Sequence, residues 1–249
     1  MELSADAFSL HSGVMELGYQ AEMHLPGGQN FKVPLVSTPL PHAPLNGSPM
    51  NMLLSGNLLN VLLLALVPPQ AFTVPKKELN RWSQAGAFRF VIPQASNAQM
   101  MQIAHRVLLL LIEPGKVQVQ QNIEMRLYGD HPRGAYQVLL AIRASVNSVA
   151  GVSADNGRLK LTLGLQGISN ISVIRSSIRN VDAEHLTGII RQLVSTLLLP
   201  RQNQLLAEGM PLPLVGNLGV HHLGVAPGHN VLKLFIPPSL RSAQAPVAV

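Results

Sequence analysis

The sequence predicts an α+β fold, an antiparallel sheet with long helices gathered on one face. Two observations carry that expectation. From Val117 to Leu165, apolar residues recur at every second position through successive segments, the period of half-buried strands. From Leu186 to Leu197 they recur at spacings of three and four, the period of a helix with one buried face. The two patterns stand in separate blocks, which argues against alternating βαβ units.

In chain order, Ala7–Leu25 has strand-like stretches divided by Gly13 and Gly18. Five prolines from Pro34 to Pro49 then forbid helix and suggest an extended strap. Residues 1–49 are therefore set apart from a main domain over 50–236 and a flexible tail over 237–249. Met50–Val67 is expected to be a long buried helix, with Ser55-Gly56 weakening its middle. The stretch "PKKELNRWSQAG" gives a short amphipathic turn, and "AFRFVI" a strand. "SNAQMMQIAHRVLLLLIEPG" is expected to be a second helix, capped by Ser96 or Asn97 and ended at Glu113-Pro114-Gly115.

A four-strand meander follows. Val117–Leu127 points Val117, Val119, Ile123 and Met125 inward, with a bulge expected at Gln120-Gln121. "YQVLLAIRASVNSV" places Val138, Leu140, Ile142, Ala144 and Val146 on one face. Asn156-Gly157 is a strong hairpin signal. "RLKLTLGL" aligns Leu159, Leu161, Leu163 and Leu165, and "ISNISVIRSS" is taken as the fourth strand. A long helix then begins, capped by Asp182 with Glu184 near its positive end, and carries the stripe Leu186, Ile189, Ile190, Leu193, Val194, Leu197. Pro200 should break or kink it, and Gly209 should close the short continuation in a left-handed conformation. Two last strands flank "APGHN".

Composition narrows the function. The 249 residues are 47% hydrophobic but only 12% charged, and the apolar share is mostly Leu, Val, Ile and Met. That suits either a large aliphatic core or a cavity able to repack around flexible chains. The net charge of +6 is spread singly, with no basic run longer than Lys76-Lys77, unlike the clustered cations of a nucleic-acid binder. No cysteine is present, so no disulfide and no Cys-type zinc site forms. "MELSADAFSL" lacks the features of a signal peptide, and the apolar run Val61–Val67 is too short to span a bilayer. Asn46 and Asn170 head N-x-Ser sequons and are candidate glycosylation sites.

One stretch is more specific than any of this. "VDAEHLTGIIRQLVSTLLLPRQNQLLAEGMPLPL", Val181–Leu214, drives a long apolar helix into Leu199-Pro200. It resumes with Asn203 and Leu206 and closes on Gly209 followed by Pro211-Leu212-Pro213. It resembles the family of bactericidal permeability-increasing protein and lipopolysaccharide-binding protein, and within it the C-terminal half of a BPI-fold-containing family B member. "VHHLGVAPGHNVLKLF" resembles that family's final hairpin, and "SADNGRLKLTL" is a weaker match. The resemblance covers roughly Met50–Ile236.

It implies a BPI-like tubular domain, in which a strongly twisted antiparallel sheet and its long helices enclose an apolar groove. There Pro200 would end the helix at the sheet's edge. It further implies a secreted, non-catalytic lipid-binding or lipid-transfer protein holding phospholipid acyl chains, with a role in innate immune defence. Bound phospholipid is the expected ligand and no cofactor is expected. A preceding N-terminal domain is the expected intramolecular partner, with Ala7–Val36 as the end of that half. Endotoxin recognition is carried in the best-known members of the family by the cationic tip of the N-terminal domain, and the resemblance leaves it open for this chain.

The residues expected to line the groove are Leu63 and Leu66 on the first helix, Leu108 and Leu111 on the second, Leu161 and Leu163 on the sheet, and Leu186, Ile190, Leu193 and Leu197 on the long helix. Burying one acyl methylene is worth roughly 0.8 kcal/mol, so a dozen would supply about 10 kcal/mol gross. The same leucines would equally fill a dry core, which would make the chain a protein-interaction module of the same fold. Arg126, Arg133, Arg143, Arg158, Arg175 and Arg179 form either a basic outer face for anionic membrane headgroups or ordinary solubilising charge. Enzymatic chemistry is not expected. His221 and His222 would point to opposite faces of a strand, Asp182 and Glu184 are explained by capping, and no Gly-x-Ser-x-Gly or phosphate-binding glycine motif occurs.

Overall fold

A computed structural model describes residues 2–11, 14–22, 50–77, 79–80, 98–130, 136–178, 181, 183–212 and 222–237. The strap, the "AFRFVI" segment, the Asp182 cap, Asn46, His221, Arg133, Arg179 and the tail from residue 238 fall outside them.

Among the described residues, the first two strands, β1 (Glu2–His11) and β2 (Val14–Glu22), pair only with each other. Gly13 lies between them, but Gly18 sits inside β2 opposite Ala7 and divides nothing. The expected helix from Met50 starts six residues late. Asn51–Ser55 is a strand, β3, because it finds a partner in the last strand of the chain. Ser55-Gly56 is then the beginning of helix α1 (Gly56–Leu66), where the Ser55 hydroxyl accepts the Leu58 N–H at 3.2 Å. Strand β4 (Gln70–Pro75) follows.

The second helix expected from Ser96 does not exist. Its sequence forms β5 (Ala98–His105) and β6 (Leu109–Glu113), and Pro114-Gly115 makes the turn into β7 (Lys116–Asp130). A short apolar run fits either period, and here the partner decides. Met101, Ile103 and His105 face Leu127, Met125 and Ile123 of β7, and Leu110 and Ile112 face Val119 and Val117. The meander is completed by β8 (Tyr136–Asp155) and β9 (Arg158–Ser176), joined at Asn156-Gly157, both at positive φ. "ISNISVIRSS" is thus the second half of β9, and β6 takes the place of the fourth meander strand.

Nor is there a bulge at Gln120-Gln121. The pairing with β8 is continuous there, and inward positions run without a slip through Val117, Val119, Gln121, Ile123, Met125 and Leu127. Bulges lie elsewhere in the sheet, one each on β5 and β8 opposite the end of β7 and the rest on β9. Three times the register against β8 gains one residue on β9, between Ser176 and Leu165. Each bulge increases the local twist.

Above the sheet runs a helical path in three pieces: α2 (Ala183–Leu193), a π-turn (Val194–Leu198) and α3 (Leu199–Ala207). Pro200 does not end it. Pro200 stands in the first turn of α3, and the wide turn before it, closed by the Leu199 N–H on the Val194 carbonyl, makes room for a residue with no N–H of its own. The π-turn adds a residue, so the buried stripe shifts phase. Leu186, Ile189, Ile190, Leu193 and Val194 are buried as expected, but Leu198 takes the place of Leu197, which is half-buried. Four buried side chains on α2 contribute about 6–12 kcal/mol gross, enough to hold a helix too short to persist alone.

Gly209, at φ +72°, closes α3 in the left-handed conformation. Arg158 donates to the carbonyls of Glu208 and Gly209, both at 3.0 Å, which makes it a cap for this helix. β10 (Met210–Pro211) returns along β9, and the last hairpin is β11 (His222–Pro227) with β12 (Val231–Phe235). The main sheet runs β9-β8-β7-β5-β4, with β6 beside β7 and the β11-β12-β3 offshoot beside the far end of β8. α3 packs on β9, yet its Arg201 lies over the Phe72 ring of β4, 4.3 Å from the centroid. The two outer strands reach the same helix, so the sheet curls round it. The class is the α+β layer expected from the sequence, with helices on the inner face.

Candidate functional site: an apolar gap between helix and sheet

The inner face of the sheet is a ladder of rungs, each drawn from adjacent strands. The first is Met101, Leu127 and Leu140, and the second is Ile103, Met125 and Ile142. Next come His105, Ile123 and Ala144, then Gln121 and Val146. Leu110, Val119 and Ser148 form the fifth, and Ile112, Val117 and Ala150 belong to the sixth. The helices lie over this ladder.

Among the described residues, two apolar seams stand out between the layers. The wider one sits over the first rungs and is lined by Met101, Met125, Leu127, Leu140 and Ile142 from the sheet and Leu186, Ile189 and Leu193 from α2. It keeps about 20 Å³ of open space, room for about one water and far below the roughly 300–1,000 Å³ of a ligand pocket. The second lies at the other end, among Leu59, Leu110, Ile112, Val117, Val152, Leu159, Leu161, Met210 and Leu232, and is closed. Side chains therefore fill the interior. Its lining is aliphatic, with two methionines at the wider seam, and such side chains repack at low cost.

Of the residues expected to line a groove, Leu186 and Leu193 meet in the wider seam and Leu161 lines the narrower one. Leu63, Leu163 and Ile190 are buried in the surrounding core. Leu66 and Leu197 are half-buried against it. Leu108 and Leu111 do not share a helix face. Leu108 is buried in the link between β5 and β6, and Leu111 is half-buried on β6. The sheet side of the wider seam was missed as a lining. Leu140, Ile142 and Met125 were legible as inward strand residues, whereas Met101 was hidden by the helical reading of its segment.

Three sets of polar side chains in this interior are hydrogen-bonded to partners across it. Gln121 of β7 and Gln202 of α3 exchange two amide hydrogen bonds, at 2.9 and 2.8 Å. The Asn60 side chain takes the Leu110 N–H at 2.6 Å and donates to the Leu110 carbonyl at 3.2 Å. Asn203 does the same for Leu163 of β9, at 2.7 and 3.0 Å. In both asparagine cases a side-chain amide stands in for a neighbouring strand.

The outer face is polar and largely self-paired. Gln118 donates to Gln166 at 2.6 Å, Ser145 to Asn122 at 2.9 Å, and Asn170 to Ser145 at 3.3 Å. Arg126 and Arg143 both converge on Glu124. Desolvation works to raise the Glu124 carboxyl, but hydrogen bonds and charge from Arg126 and then Arg143 outweigh it and hold the group below the usual range. Three of the six arginines expected on a basic face, Arg126, Arg143 and Arg158, are thus engaged by partners within the chain. Arg175 is exposed. Asn170 lies exposed on β9 at φ +51°. His222 lies 3.1 Å from Asp155, and no group of three or more metal-ligating side chains occurs among the described residues.

Rat bactericidal permeability-increasing protein is 30% identical over 125 residues, which is 50% of this chain and 26% of that protein. A crystal structure of lipopolysaccharide binding protein aligns with 80% of this chain and 45% of its own, at 18% identity and a TM-score of 0.48. The chain thus spans about a quarter of the first of these and less than half of the second. Residues 73–236, from β4 to just beyond β12, match the model of the LBP / BPI / CETP family, C-terminal domain, and with the Leu199-Pro200 helix and the two-layer fold this chain belongs to that family.

Proposed function

We propose that this chain is a non-catalytic lipid-binding module that takes an acyl chain between α2 and the sheet. The observation that carries the reading is the wider seam itself. It is wholly aliphatic along the first rungs, it has methionines at Met101 and Met125, and it runs under a helix held there by apolar contacts. Opening it requires α2 to move outward. The π-turn at Val194–Leu198 gives the helical path a place to flex between α2 and the better-anchored α3. A lipid pocket of ordinary size holds about 300–1,000 Å³, so loading means displacing side chains from a closed interior.

Within this reading the ligand is a phospholipid or another amphipathic lipid. The protein is secreted, acts in innate defence, and carries glycans at Asn170 and Asn46. Anionic membrane surfaces and an N-terminal domain of the same protein are its further partners. Family membership supports these assignments. The exposed setting of Asn170 supports the first glycan site.

A second reading is favoured by one observation, the 20 Å³ left in the wider seam. A core that stays this closed would make the chain a protein-interaction module with the same fold. Native mass spectrometry with solvent extraction separates the two. Stoichiometric lipid lost on denaturation supports the carrier, and Leu193→Trp, which fills the seam, should then reduce loading at least fivefold while the chain remains folded. A clean apo mass with no uptake from phosphatidylcholine vesicles would leave the interaction module.

A further inference from the structure

The middle rungs of the inner ladder are unlike the rest. Three consecutive rungs each carry one polar side chain, on three adjacent strands: His105 on β5, Gln121 on β7 and Ser148 on β8. All three are buried, at 3%, 3% and 0% exposure. Each stands one rung from the next, diagonally across a strand pair, within reach of neighbouring side chains on one face. They separate the wider apolar seam from the closed one.

This row is not satisfied by the protein. Among the described residues, neither His105 Nε2 nor the Ser148 hydroxyl oxygen has a hydrogen-bond partner. The His105 Nδ1 lies 3.1 Å from the Arg106 carbonyl, which can only accept, so Nδ1 carries the proton and Nε2 is left as an acceptor. Burial lowers the His105 pKa, against a smaller opposing effect of that backbone bond, which keeps the ring in this neutral form. The Gln121–Gln202 pair uses one amide proton and one lone-pair position on each side chain, leaving donor and acceptor capacity over. An unpaired buried polar group costs about 1–3 kcal/mol. A purely aliphatic tail would leave that cost in place.

The geometry points to a polar waist that binds an oxygen carried part-way along an acyl chain: the chain lies in the wider seam, and its hydroxyl donates to His105 Nε2, the unpaired acceptor next to that seam. The ligand class is an oxygenated acyl lipid, a hydroxy fatty acid or an ester of one. From the Leu127 rung to the Ile123 rung is four residues of strand, about 13 Å, which places the oxygen in the middle of a long chain and not at its head. This rests on the acyl-binding reading of the wider seam and goes beyond it by setting which chains that seam prefers.

The test is a competition on the full chain, with equimolar stearate and a stearate bearing a mid-chain hydroxyl, the bound ratio read by native mass spectrometry. One net hydrogen bond corresponds to a preference of about three- to tenfold for the hydroxylated acid. Ser148→Ala, two strands and two rungs from His105, should leave the ratio unchanged and should raise the Tm of the free protein, because it removes an unpaired buried hydroxyl. His105→Leu should bring the ratio towards one while stearate still loads. Equal loading of both acids by the unmodified protein overturns the waist and leaves acyl binding standing. Uptake of neither overturns both. A preference that survives His105→Leu, or one that is lost in Ser148→Ala, places the oxygen elsewhere and overturns the assignment, and the wild-type ratio decides the matter if either variant fails to fold.

Discussion

At the scale of single residues, the interior is organised by its few polar side chains. Gln121 and Gln202 satisfy one another where a pair of leucines would also fit, so removing one amide should hurt more than removing both. Gln121→Leu alone strands the Gln202 amide and should cost about 1–3 kcal/mol, and Gln202→Leu should cost the same. The double variant should recover most of the loss, because two apolar side chains of similar size leave nothing unpaired. Urea melts of the four proteins check this, and additive losses would show that the pair holds the layers in a way that packing cannot replace. Gln121 was also the residue that misled the sequence reading. A glutamine among valines suggested a bulge, whereas the strand keeps its phase and buries the amide. Nothing in β7 announces the partner, which lies 81 positions away on α3.

At the scale of elements, what was legible depended on who decides the conformation. The hairpin at Asn156-Gly157, the inward leucines of β9 and the stripe on α2 are written into adjacent residues, and they stand as expected. The segment from Ser96 to Gly115 is not, because its apolar run fits both periods and only pairing with β7 selects the strand. Pro200 was legible as a disturbance but not as a π-turn, since a proline dictates that the helix must yield and not how. The edges of the sheet show the same dependence on distant partners. α3 reaches β9 through Asn203, which supplies Leu163 with both halves of a strand's hydrogen bonding. Asn203→Ala should leave that N–H and C=O unpaired in a partly buried position and cost about 1–3 kcal/mol. Amide exchange at Leu163 should accelerate well beyond the change at Leu159, four residues away. Equal acceleration at both would mean that the loss is global, and that Asn203 does not act as a local substitute for a strand.

At the scale of the whole molecule, the two layers are fastened unevenly. α3 is tied to the sheet by Gln202, Asn203 and the Arg201–Phe72 contact, and its end is capped by Arg158. α2 meets the sheet through Leu186, Ile189, Ile190 and Leu193, side chains that can slide and repack. Half of this site was legible in the sequence, because a helix writes its buried face in its own periodicity. The facing half was not, since it is assembled from β5, β7 and β8 by register, a property of pairs of strands. The uneven fastening makes a prediction about motion. The middle of β7 is paired on both sides and should exchange its amides only on global unfolding. α2, beyond the π-turn, should exchange by a local opening that leaves the sheet intact, at least tenfold faster than β7. Adding phosphatidylcholine vesicles or a fatty acid should slow exchange in α2 selectively, because an acyl chain in the wider seam makes each opening expose more apolar surface. If α2 and β7 exchange together, with or without lipid, the layers open only as one unit. The seam is then core and not a gate.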